Sequence, residues 1–212
     1  FNKEEHTIYK GLTAIKYLSE RVAEELYSLR NSDFKTFTDV LYAIDEQTSC
    51  DSRQLDILIK LSFFEQYGDI NNLLAQVENF RALHAKKTLK VSDLDRFSLD
   101  LSLVKPYAEK ITEKQIRVAD MRGLITDMNT RENRHETSIV DRIRYENELL
   151  GYVSLTLPGV DEHYYYVTKI AGNASRVATL YQLKTGKTEK YKIRKACFEK
   201  NPLEVGQIIN AI

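Results

Sequence analysis

The spacing of apolar residues changes once along this chain. As far as about residue 160 they recur every three or four positions, and beyond His163 they alternate. The first spacing lays an apolar stripe along a helix, and the second gives a strand one buried face. Helices followed by strands predict an α+β fold, with an all-α N-terminal region and a small antiparallel β domain at the end.

The helical part reads as short amphipathic segments. Leu12, Ile15 and Leu18 share a face, and Val22, Leu26 and Leu29 continue one in a second short helix. Ser32-Asp33 reads as a cap for the next, whose stripe is Phe37, Val40, Leu41 and Ile44. Asp51-Ser52 opens another, with Leu55, Leu58, Ile59 and Phe63 inward. After the break at Gly68-Asp69, the stripe is Leu73, Leu74, Val77 and Phe80. From Arg81 to Pro106 the pattern is poorer, and SDLDRFSLDLSLVKP reads as extended. Helices are expected over 109–120 and 137–150, the latter with Ile139, Ile143 and Leu150 inward and Gly151 as its stop. YYYVTKIAG, SRVATLYQL and EKYKIRKACF read as strands, with Gly186 turning the last two into a hairpin. EVGQIINAI reads as a further strand. The β part is expected to close into a partial barrel.

Charge divides the chain in the same place. Its 31 Lys and Arg balance 31 Asp and Glu, which excludes a histone-like polybasic protein and an acidic tail. Yet Tyr164–Ile212 holds nine basic residues against three acidic ones, a surplus of six positive charges that the rest of the chain offsets. That asymmetry points to a basic module facing nucleic acid. No run approaches the ~20 apolar residues of a membrane span, so no membrane partner is expected. The opening FNKEEHTIYK is polar and mixed in charge, unlike a signal peptide, and reads as the start of a piece cut from a longer protein. Cys50 and Cys197 could pair but make no disulfide framework, so the expected compartment is cytoplasmic. The histidines (His6, His84, His135, His163) lack metal-site spacing, and there is no phosphate-binding Gly loop and no GxSxG.

The segment Gly11–Leu29, GLTAIKYLSERVAEELYSL, has the layout of a helix-hairpin-helix. Such an element has an apolar helix, a tight turn of the type Gly-apolar-Gly, and a second helix with a small residue at the crossing. Tyr17-Leu18-Ser19 occupy the turn and Ala23 the crossing. The turn amides and the second helix's N-terminus can meet a phosphate, which reads backbone and not sequence. Lys16, Ser19 and Arg21 are the candidate contacts. In the β part, Lys184, Lys187, Lys190, Lys192 and Arg194 cluster around one hairpin, with Lys190, Lys192 and Arg194 on one face and Tyr191 and Ile193 on the other. Tyr166 and Tyr181, with Tyr164 and Tyr165, are candidates to stack on bases.

Three blocks in order resemble the alpha subunit of bacterial replicative DNA polymerase III, a C-family polymerase. IYKGLTAIKYLSERVAEEL is similar to that family's helix-hairpin-helix, in which the turn is Gly-Val-Gly. RQLDILIKLSFFEQYGDINNLL resembles its LIK-x-Gly-Ala-Phe-Asp block, and ENELLGYVSLTLP its Glu-x-x-Leu-Gly-x-Tyr-Leu-Ser-x-His-Pro segment. Both turn glycines and the histidine are missing here. The resemblance implies a helix-hairpin-helix domain over 1–80, a helical linker region over 81–162 and an OB-like β domain over 163–212. It implies a non-catalytic fragment that contacts template-primer duplex and single-stranded DNA. The parent would be a DNA-directed DNA polymerase, a nucleotidyltransferase needing Mg²⁺ upstream, and the fragment itself would hold no cofactor. A sliding clamp or other replisome subunits are the protein partners implied, with Gln76–Phe80 and Gln115–Val118 as imperfect clamp motifs. Asp93, Asp95 and Asp100 echo a polymerase Asp-x-Asp motif but read as turn and cap residues. A stand-alone nucleic-acid-binding module and a protein-interaction scaffold are the alternatives.

Overall fold

The computed structural model describes residues 11–173 and 175–211. The chain divides into two compact units, one of Tyr17–Thr137 with the residues up to Thr13, and one of Ser138–Ile212 with Ala14–Lys16.

In the first unit, α1 (Glu20–Ser28) is followed by α2 (Phe37–Gln47), α3 (Ser52–Lys60) and α4 (Ile70–Leu83). Each begins on a side chain that accepts from its own first turn, Ser19, Thr36, Asp51 and Asp69 in order. The cap of α2 is thus Thr36 and not Ser32-Asp33, because Asp39 completes a capping box with it. The expected stripes point inward: Val22 and Leu26; Phe37, Val40, Leu41 and Ile44; Leu55, Leu58 and Ile59; Leu73, Val77 and Phe80.

Phe63 is the exception, at 46% exposed, while Phe64 beside it is 5% exposed. The end of α3 explains the shift. Ser62 takes a left-handed φ of 59°, Phe63 N–H donates to the Leu58 carbonyl (3.0 Å) and Ser62 N–H to that of Ile59 (2.9 Å). This Schellman pattern ends the helical period, so Phe64 turns in and packs 5.4 Å from the Phe37 ring.

The stretch expected as a helical linker holds a sheet. The strands β1 (Thr88–Lys90), β2 (Ala108–Ile111) and β3 (Gln115–Val118) pair antiparallel in the order β1-β3-β2. The helix expected over 109–120 is therefore a β-hairpin, with Ile116 and Val118 alternating into the core. The segment 92–106, expected as extended, runs through three 3-10 turns and the short helix α5 (Leu101–Val104). Next, α6 (Met121–Thr130) packs Leu124, Ile125 and Met128 into the core. Its Asn129 donates to Thr38 Oγ1 (3.0 Å) and accepts from Asn79 (3.1 Å), a buried polar tie to α2 and α4.

In the second unit, α7 (Ile139–Leu150) ends at Gly151 in the left-handed region, as its sequence predicts. A four-stranded antiparallel sheet follows: β4 (Tyr164–Ala171), β5 (Arg176–Gln182), β6 (Thr188–Ile193) and β7 (Ile208–Asn210), in the order β6-β5-β4-β7. β6 and β7 lie at opposite edges and do not pair, so among the described residues the sheet is open and the expected OB-like barrel does not close. Residues 195–198, read as the end of a strand, lie in the helix α8 (Lys195–Lys200). One sheet face is covered by Ile143 of α7 and by Val153, and the other is built on Val167, Ala178 and Leu180.

Candidate nucleic-acid interface

The turn before α1 is one candidate surface. Leu12–Ala14 is a single 3-10 turn, not the helix expected from Leu12, Ile15 and Leu18. A segment this short does not sustain a helix alone. Tyr17 then takes φ 70°, the left-handed conformation that glycine normally supplies. For a residue with a Cβ this costs roughly 1–2 kcal/mol. Two contacts and a buried neighbour hold it. Leu18 is buried, Gln54 Nε2 donates to the Tyr17 carbonyl (2.8 Å), and the Arg53 guanidinium lies 3.5 Å from the Tyr17 ring centroid. Ser19 caps α1, its Oγ accepting from Val22 N–H at 3.3 Å.

The charges around this turn are mixed. Lys16 and Arg21 are exposed, but Arg21 Nε pairs with Glu25 at 2.8 Å, and Glu20 stands in the first turn of α1. Glu25 also accepts from the Ser49 hydroxyl (2.7 Å) and amide (2.6 Å). These bonds, led by the Ser49 hydroxyl, lower its pKa from 4.5 to about 2. A depressed carboxylate contributes stability that is present above its unfolded pKa and lost as pH falls through the folded one. Wild type should therefore lose stability between pH 4.5 and about 2 that Glu25→Gln does not lose. Acid titrations followed by circular dichroism check this, and superimposable curves would contradict it.

A separate candidate surface, in the second unit, lies on the sheet. In the antiparallel register Lys169 and Lys190 flank Thr179, and Lys192 stands opposite Val177. Directly opposed residues share a face. Val177 and Thr179 alternate with the buried Ala178 and Leu180, so Lys169, Lys190 and Lys192 lie on the face that Tyr181 also occupies. All three lysines are exposed. Tyr191 and Ile193 point to the opposite face, where the Tyr191 ring meets Tyr165 at 6.4 Å. Lys184 and Lys187 sit in the hairpin turn, whose Gly186 has φ 74°. Arg194 lies past the strand end and precedes α8.

Two expected stacking residues are corrected. Tyr166 and Tyr181 are 1% and 2% exposed, packed with Ile143, Val153 and Leu183. The Tyr181 hydroxyl donates to the Leu155 carbonyl at 3.0 Å. Burial raises the pKa of both phenols, and neither ring offers a face to a base. Alternation along a strand says that two tyrosines share a face but not whether a helix covers it. Lys169 and Arg53 are the basic residues that sequence reasoning missed. Lys169 carried a signal, since it alternates along β4, although the irregular register between Val167 and Lys169 moves it to the other face. Arg53 carried none, because its partner Tyr17 is remote in sequence.

The aspartates of the Asp-x-Asp echo sit in turns and at a cap. Asp100 caps α5 through Leu103 N–H (2.8 Å), and Asp93 accepts from Ser92 (3.1 Å). Among the described residues no group of three His, Cys, Asp or Glu could hold a metal ion. Both cysteines are free thiols, and burial pushes Cys50 up to about 11. Of the two clamp-like stretches, Gln76–Phe80 lies inside α4 with Phe80 buried, and Gln115–Val118 is strand β3. No helix among the described residues is long and apolar enough to cross a membrane.

Residues 1–73, about a third of the chain, match the family model of the helix-hairpin-helix motif. Its first ten residues, including Ile8–Lys10 of the first block above, lie outside the described residues. No curated protein and no solved structure matches this chain. The motif is one that binds nucleic acid, and it points to DNA as the ligand.

Proposed function

We propose that this chain is a non-catalytic DNA-binding part of a bacterial replicative DNA polymerase alpha subunit, contacting template-primer DNA through its backbone. The observation that carries the DNA reading is the helix-hairpin-helix match, together with a turn in which Tyr17 keeps the left-handed geometry of the absent glycine. The polymerase assignment rests on the three resembling blocks and their order. In that assignment nucleotide addition belongs to carboxylates and Mg²⁺ elsewhere in the parent. Lys16, Ser19 and Arg21 at the hairpin serve the duplex. The lysines of the sheet, with Lys184, Lys187 and Arg194, serve single-stranded template.

Such contacts displace counterions, so binding must weaken with salt. The log–log slope is roughly −0.9 per phosphate on duplex and −0.7 on a single strand. Anisotropy titrations of labelled duplex, single-stranded and primer-template DNA across a salt series should give binding that falls steeply with salt. Absence of binding to all three at the lowest salt would sink the proposal. Sequence upstream of Phe1 that lacks palm carboxylates would sink the polymerase assignment alone.

A further inference from the structure

The tip of the hairpin differs from a glycine turn in what it presents. A glycine turn offers only backbone, and cannot distinguish continuous duplex from a junction. Here Tyr17 stands at the tip, 56% exposed, with the Arg53 guanidinium 3.5 Å from its ring centroid. The pair is held from below. Gln54, the next residue of α3, donates through Nε2 to the Tyr17 carbonyl (2.8 Å) and accepts through Oε1 from Asp51 N–H (2.9 Å). One side chain therefore closes the capping box of α3 and fixes the turn. An exposed aromatic kept in a sparsely populated conformation by its surroundings is a feature from which function is inferred.

The chemistry of the pair is specific. A guanidinium over a ring keeps its N–H donors directed outward in its own plane, where a phosphate can take them two at a time. Arg53 is exposed, and among the described residues no carboxylate pairs with it, whereas Arg21 is held by Glu25. An exposed tyrosine beside a phosphate contact gains nothing from stacked base pairs, whose faces are covered. It gains where a base is unpaired.

We propose that Arg53 is the main phosphate ligand of this hairpin and that Tyr17 stacks on an unpaired base, so that the tip prefers a single-strand–duplex junction to continuous duplex. This rests on the DNA-binding reading above. In the exchange the turn gives up close backbone approach and gains a means of recognising where a duplex ends.

The test uses the full chain and a primer-template carrying 2-aminopurine at the first unpaired template position, with a blunt duplex of equal length beside it. Wild type should bind the junction more tightly and change the 2-aminopurine emission. Arg53→Glu should weaken both DNAs by roughly tenfold and flatten the salt slope by about one contact. Tyr17→Phe should behave as wild type. Tyr17→Gly fits the φ of the turn, so it removes the ring without unfolding the tip. It should bind the junction only as well as the blunt duplex and lose the emission change. Wild-type binding with Arg53→Glu and Tyr17→Gly unaltered would overturn this inference and leave the DNA reading standing. No binding by wild type to either DNA would overturn both.

Discussion

Phe64→Ala is expected to lower the stability of the helical unit by about 3–5 kcal/mol, the usual cost of emptying a buried aromatic site. Phe64 is 5% exposed and packs on Phe37, so truncation leaves a cavity that the turn around Ser62 cannot easily close. Against a net stability of ~5–15 kcal/mol for a domain, that loss takes a large share of the total. Phe63→Ala removes a ring that is half in solvent and meets Phe64 edge-on at 5.1 Å. It should cost about 1 kcal/mol, the worth of such an aromatic pair. Urea unfolding of the two variants, followed by circular dichroism, separates them by midpoint. The helical stripe read from sequence assigns them the opposite way. A larger loss for Phe63→Ala would mean that α3 does not end in the left-handed Ser62.

That contrast marks the limit of what the sequence made legible. Helices α1 to α4 were readable because each carries a capping side chain and a stripe of apolar residues, two signals that agree. The strands β4 and β5 were readable because Tyr, Val and Thr alternate between turns. The β2–β3 hairpin was missed although Gln115-Ile116-Arg117-Val118 alternates, because four residues are too few to outweigh the helix-favouring charged residues around them. Helix α6 was missed because Gly123 sits in its first turn. There a Cβ would meet Asp120 Oδ2 at 2.3 Å and the Tyr107 ring at 2.8 Å, so the glycine makes room for the helix's own cap. At the candidate interface, the hairpin and the lysine alternation of β6 were local and visible. The pairing of Arg53 with Tyr17 and the burial of Tyr166 and Tyr181 depend on packing between segments distant in sequence, which no local pattern records.

The double substitution Lys190→Glu/Lys192→Glu should have the largest effect on binding to single-stranded DNA. The two side chains share one face of the edge strand β6, and Lys169 lies across Thr179 from Lys190. A strand of phosphates crossing this face would meet three positive charges in a compact group. Reversing two of them removes two contacts and adds two repulsions. Removing two contacts flattens the log–log salt slope by roughly 1.4, and affinity at 50 mM salt should fall on the order of 10–100-fold. Stability should change little, because both side chains are exposed and neither pairs with a carboxylate among the described residues. Lys195→Glu/Lys200→Glu on α8, whose Phe198 ring meets Arg176 on the opposite face of the sheet, makes the same change in net charge. If binding depends on the face, the β6 pair loses far more than the α8 pair. Equal losses would assign the effect to total charge, and no loss in either would remove the sheet from the DNA-binding surface and leave the hairpin as its sole candidate.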